Sequence, residues 1–156
     1  MADYQGLLTV HSDQRWAIAV SRFNRRVTDR LLEGAIDQFC RHGVDRHAID
    51  VVYVPGAFEL GGVVARLIQR PYAAIIALGA VIRGETPHFD YVAGGAAGAL
   101  GDLARNGRVP VIFGVLTCNT MAEAEDRADG KAGNKGSEAA VAAIEMADLY
   151  RRLDNA

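Results

Sequence analysis

Residues 73–92 read AAIIALGAVIRGETPHFDYV, and the fold follows from how this stretch is divided. Ala73 to Ile82 is apolar without alternation, which fits a strand buried on both faces, as in parallel sheets. We place the strand at 73–79, a polar loop carrying Arg83, Glu85, Thr86, His88 and Asp90 after it, and a helix over 91–107. Three other apolar runs have the same character: WAIAV (16–20), IDVVYV (49–54) and VPVIFGVLT (109–117). Between them lie helical patterns. Leu31, Leu32, Ala35, Ile36, Phe39 and Cys40 recur at helical spacing, with Thr28 able to cap the start and Gly43 to stop it. Residues 58–70 form a second helix ending before Pro71. Thr120 with Glu123 makes a capping box for a helix starting at Met121, and a last helix runs over 134–153. Strands alternating with helices predict an α/β fold, a doubly wound three-layer α/β/α sandwich on a four-stranded parallel sheet. LLTV (7–10) is left as an extra N-terminal strand that pairs outside the domain. No linker, repeat or low-complexity segment interrupts residues 1–156, so one domain is expected.

Composition narrows the function. A chain of 156 residues, 50% hydrophobic and 23% charged, is ordinary globular composition and large enough for its own core. A net charge of -2 and the absence of any Lys/Arg-rich block argue against a nucleic-acid partner. The longest apolar run falls far short of the ~20 residues a membrane helix needs. The N-terminus lacks the basic and apolar regions of a secretory signal, so a cytoplasmic location is expected. Cys40 and Cys118, without CxxC spacing, read as two buried reduced thiols.

In open α/β sheets, ligands bind beyond the carboxyl ends of the strands. That rule selects SRFN (21–24), PGAFE (55–59), the loop after the third run, and LTCNT (116–120). Phe23 and Phe58 stand there either as ligand-facing rings or as core residues at loop edges. His88 is one of four histidines. A loop histidine is more often a hydrogen-bonded surface group than a catalyst. Gly84-Glu85-Thr86 before it, however, can aim backbone N–H groups at an anion, and imidazole titrates near neutrality. Arg127 and Lys135 flank DGKAG, where each reads equally as a solvated helix-end cation. Glycines 94, 95, 98 and 101 favour close helix packing. GKAGNKGS lacks phosphate-loop spacing and no G-x-G-x-x-G follows the first strand, so nucleotide hydrolysis and dinucleotide binding are not expected. No metal-ligand cluster is evident.

Taken together, SRFN, PGAFEL, GAVIRGETPHFDYV, PVIFGVLTCNT and DRADGKAGNKGSEAAVAAIEM resemble the 6,7-dimethyl-8-ribityllumazine synthase family over about residues 15–150. The resemblance implies a flavodoxin-like fold and a cofactor-independent transferase of riboflavin biosynthesis. Its two small-molecule substrates would be 5-amino-6-(D-ribitylamino)uracil and 3,4-dihydroxy-2-butanone 4-phosphate. By motif, Phe23 would stack on the pyrimidine, and Ala57, Phe58 and Glu59 would hold the ribityl chain. Ala80, Val81 and Ile82 would contact the uracil edge, Glu85 and Thr86 the phosphate, and His88 would move protons. Phe113 would complete the pyrimidine site, Arg127 would pair with the phosphate, and Lys135 and Glu138 would line the site. The resemblance also implies a homopentamer, with Phe113, Arg127 and the NKG region supplied by the adjacent chain. The short RADGKAGNKG turn agrees with growth into a shell of twelve pentamers.

Three departures from the family pattern stand out. Gly61 replaces the proline of PGAFELP, which would loosen the start of that helix. Asp129 replaces the glycine of RAG, beside the expected phosphate ligand. Ala122-Glu123-Ala124-Glu125 replaces the family's EQA on a helix where no chemistry is expected. Two rival readings follow from the same residues: a shell protein that binds flavin or lumazine without turnover, and a flavodoxin-like electron carrier, which the missing phosphate loop disfavours.

Overall fold

A strand apolar on both faces needs cover on both, and the chain supplies it with helices. The computed structural model describes residues 1–156. Four strands, β1 (Trp16–Ser21), β2 (Ile49–Val54), β3 (Ala74–Ile82) and β4 (Val111–Cys118), form one parallel sheet in the order β2-β1-β3-β4. Five helices complete the fold: α1 (Arg25–Arg41), α2 (Leu60–Leu67), α3 (His88–Asn106), α4 (Met121–Asp126) and α5 (Lys135–Asp154). A hairpin of β5 (Ala128–Gly130) and β6 (Gly133–Asn134) leads into α5. The expected α/β architecture is what the chain adopts. No helix is long and apolar enough to cross a membrane.

Strand alternation sorts the core into two halves. Trp16, Ile18, Val20, Ile76 and Leu78 face α1 and α5, while Ala17, Ala19, Ile75 and Ala77 face α2 and α3. Each large apolar side chain buried this way contributes about 1.5–3 kcal/mol. The two long helices of the first half cross closely, because a Cβ on Gly136 would run into the Leu31 carbonyl. On the other half Gly61 plays the same part. A Cβ there would stand 2.7 Å from the Ala99 Cβ, so the glycine at this position lets α2 lie close against α3.

Several boundaries differ from the sequence reading, each for a local reason. β3 runs on to Ile82 because β4 stays paired with it up to Cys118. α1 begins at Arg25, not after Thr28, whose hydroxyl is buried without a partner and so caps nothing. α3 begins at His88, since Pro87 already holds a φ of -68° and Asp90 favours the first turn. Glu123 reaches back one residue further than a capping box requires, accepting from Asn119 N–H at 2.9 Å. Its own N–H donates to Thr120 Oγ1 as expected. Cys40 is exposed, one position past the inward Phe39 on α1, so only Cys118 is a buried thiol. Glycines 94 and 98 face open space, and of the four only Gly95 packs on another element, against the Phe58 ring.

Residues 7–10 pair with no strand of this chain. The segment lies instead along α5, where Leu7 N–H donates to Asp148 Oδ2 at 2.8 Å. Arg152 Nε and Arg151 Nη2 also donate to that carboxylate, at 2.6 and 2.9 Å. Burial alone would push the Asp148 carboxyl up, but these three donors hold it well below the usual carboxylate range.

The β5–β6 hairpin carries one strained residue. Asp129 has a φ of 80°, in the left-handed region that favours glycine. This is the position where the family pattern has glycine, so Asp129→Gly is expected to stabilise the fold by about 0.5–1 kcal/mol. The thermal midpoint at fixed protein concentration should rise by about 1–4 °C. An unchanged or lower midpoint would show that the aspartate is at ease there.

Candidate active site

The sheet order reverses around β1, with β2 on one side and β3 on the other, and the strand ends part there. A cleft of about 660 Å³ occupies that point. Its floor is the end of β3 (Ala80, Val81, Ile82), and its walls come from Phe23 and Asn24, the Pro55–Glu59 turn, Thr86, and the first turns of α3. Phe23 and Phe58 are 69% and 63% exposed, so neither is a core residue at a loop edge. Two exposed flat rings beside the end of a strand suit a flat heteroaromatic ligand. The backbone holds them in place. Phe23 N–H donates to the Pro55 carbonyl at 2.9 Å, and Glu59 Oε2 accepts from Gly56 N–H at 3.0 Å.

His88 lines this cleft from the first position of α3, at the positive end of a helix that runs to Asn106. Its helical neighbours Tyr91 and Val92, three and four residues on, line the same wall. Tyr91 is 75% exposed.

A second cleft, of about 400 Å³, shares no lining residue with the first. It lies along the free edge of β4 on the α5 side, walled by Phe113, Thr117, Cys118, Arg127, Lys135 and Glu138. Phe113 is again exposed. Arg127 Nη1 donates to the Glu123 carbonyl at 2.9 Å, which anchors a partly buried guanidinium and leaves its other donors unassigned. Lys135 is occupied by Glu138, with Nζ–Oε2 2.8 Å apart. Burial pushes the Cys118 thiol up, with Arg127 acting the other way, so the thiol stays protonated at neutral pH.

One cleft therefore offers aromatic walls, a strand edge and a histidine, while the other offers an aromatic ring and a free arginine. The 6,7-dimethyl-8-ribityllumazine synthase family matches residues 13–151. Two curated relatives of that name, from two strains of Thermus thermophilus, are each 58% identical over 140 residues, 89% of either chain. The chain belongs to the 6,7-dimethyl-8-ribityllumazine synthase family.

Against what lumazine synthase motifs led us to expect, the chain gathers Phe23, Ala57, Phe58, Glu59, Ala80, Val81, Ile82, Thr86 and His88 in the first cleft. Phe113, Arg127, Lys135 and Glu138 gather in the second. Glu85 lines neither, although Gly84 and Thr86 on either side of it line the first. Asn24, Phe89, Tyr91 and Val92 were not singled out in the sequence. Once α3 is known to start at His88, helical spacing selects Tyr91 and Val92. Asn24 carried a signal in SRFN, since asparagine tolerates left-handed backbone.

Proposed function

We propose that residues 1–156 act as one lumazine synthase domain in the cytoplasm. It would condense 5-amino-6-(D-ribitylamino)uracil with 3,4-dihydroxy-2-butanone 4-phosphate, giving 6,7-dimethyl-8-ribityllumazine, phosphate and water. The observation that carries this reading is the family membership, supported by two disjoint clefts that between them offer aromatic rings, a strand edge, a histidine and an arginine. The amine of the pyrimidine attacks the ketone and loses water to form an imine. Phosphate then leaves, the ring closes and a second water departs.

In this reading Phe23 lies on the pyrimidine, and Ala80, Val81 and Ile82 meet its polar edge. Ala57, Phe58 and Glu59 take the ribityl chain. The phosphate sits before α3 near Thr86, where unpaired helix N–H groups favour an anion. His88 carries protons between the intermediates. Most of the acceleration comes from holding two substrates together, since the amine is already a nucleophile.

Each chain by itself offers two half-sites, so a neighbour must bring its second cleft against this chain's first. Arg127 would then reach the phosphate bidentately, with Phe113 closing the pyrimidine pocket and Lys135 and Glu138 beside it. A head-to-tail contact of this kind closes into a ring, here a homopentamer, and twelve pentamers can close into a shell. The uncovered Phe113, the free edge of β4 and the open glycine face of α3 support such a neighbour.

The test combines a fluorescence assay for lumazine, phosphate release, and mass by light scattering. We expect product and phosphate in equal amounts from a pentamer or larger assembly. No product from the two substrates would overturn the reaction, and full activity in a monomer would overturn the shared site.

A further inference from the structure

Asn24 is built in a way its helix does not need. An asparagine at a helix N-cap normally takes extended backbone and accepts from the N–H two or three residues on. Here Asn24 has a φ of 59° and a ψ of 45°, left-handed, and its side chain makes no capping hydrogen bond. It is one of only two non-glycine residues with positive φ. Its amide goes elsewhere. Nδ2 donates to the Ala80 carbonyl at 2.8 Å, joining the loop after β1 to the end of β3. A residue that forgoes a local cap and accepts backbone strain points to a constraint set by function.

The sheet geometry says what that constraint is. The ladder between β1 and β3 stops at Val20 opposite Leu78, although β3 continues to Ile82. Arg83 N–H donates to the Cys118 carbonyl, so residues of that parity turn their backbone groups to β4. Ala80 and Ile82 therefore turn theirs toward the β1 side. The Asn24 amide supplies one substitute rung at Ala80 and stops there. The backbone of Ile82 is left unpaired on the side where the cleft lies.

The same loop is fixed to β2, through Arg22 N–H to Val54 at 2.8 Å and Phe23 N–H to Pro55 at 2.9 Å. Phe23, whose ring is exposed, is thus held on one side by β2 and on the other, through Asn24, by β3. A flat ligand between that ring and the strand edge needs their separation fixed.

We infer that Asn24 is a positioning residue for the pyrimidine: it sets the gap between the Phe23 ring and the free backbone edge at Ile82. The inference rests on the condensation proposed above. It concerns one substrate only, because Asn24 lies at the ring end of the cleft and the phosphate is assigned to Thr86 and a neighbour's arginine.

Two variants test it. Asn24→Gly keeps the left-handed backbone and removes the amide. Asn24→Asp keeps the shape but sets an acceptor against the Ala80 carbonyl. For Asn24→Gly we expect KM for the pyrimidine to rise roughly five- to thirtyfold, with KM for the butanone phosphate within about twofold of wild type. Asn24→Asp should be the worse of the two for the pyrimidine. Calorimetric titration with the pyrimidine alone should show the same order of affinities. A purely structural role predicts the opposite pattern, a lowered thermal midpoint with both KM values moved together or neither moved, and that result overturns the inference. An active wild type with an unaffected Asn24→Gly overturns the positioning role alone. A wild type that makes no lumazine overturns the reaction first, and the inference falls with it.

Discussion

Arg127→Ala is expected to raise KM for the butanone phosphate by about one to two decades, the equivalent of roughly 1.5–3 kcal/mol for a charge-assisted pair. The pyrimidine KM should stay near its wild-type value. Arg127 is the one cation in the second cleft without a carboxylate partner, since Lys135 is held by Glu138. Its bond to the Glu123 carbonyl fixes the guanidinium before any ligand arrives, so little side-chain freedom remains to be lost on binding. A lysine in its place would keep the charge but lose both the anchor geometry and the two-pronged contact, so Arg127→Lys should recover only part of the loss. Steady-state kinetics with each substrate varied in turn decide the matter. If both KM values rise together, Arg127 serves the assembly and not the phosphate.

His88→Ala should lower kcat by about 10²-fold or less, the lower end of what general acid–base groups contribute. Three features limit the effect. The attacking amine needs no activation, phosphate is a tolerable leaving group, and the exposed position of His88 lets water carry protons in its absence. The Phe23 ring and the β3 edge are untouched by the change, so the advantage of proximity survives. Complete loss of turnover in a correctly assembled variant would assign His88 more than proton transfer. An unchanged kcat would make it a surface histidine.

Much of the fold was legible in the sequence because it rests on the apolar runs. WAIAV, IDVVYV, AAIIALG and VPVIFGVLT needed only the argument that unbroken apolar strands belong in a covered parallel sheet. Boundaries were harder wherever a start signal was unusual. Thr28 looks like a cap, but the chain turns into α1 at a left-handed Asn24, and burial of Thr28 is invisible in a one-dimensional pattern. Pro87 concealed the start of α3, so His88 read as a loop residue and Tyr91 passed unnoticed. The strand-end rule alone drew attention to Phe23, Phe58 and His88, but Ala80, Val81, Phe113 and Glu138 were legible only through family motifs, because no local periodicity links Phe23 to Val81 or Phe113 to Arg127. Glu85 lines neither cleft, although its neighbours Gly84 and Thr86 line the first. The division into two clefts depends on which face of the sheet each segment reaches, and a sequence pattern does not encode that.

The two clefts share no residue, and that separation has a genetic consequence. Under the proposed shared site, a chain damaged at His88 still presents a sound Arg127 to its neighbour, and a chain damaged at Arg127 still presents a sound His88. Two inactive alleles of these kinds, expressed in one cell, would rescue one another. In a ring of head-to-tail contacts filled at random from equal pools, about a quarter of the sites would draw both halves from the undamaged sides. Two alleles damaged within the same cleft would give no rescue, so the pattern of complementation between mutants would map which residues share a half-site.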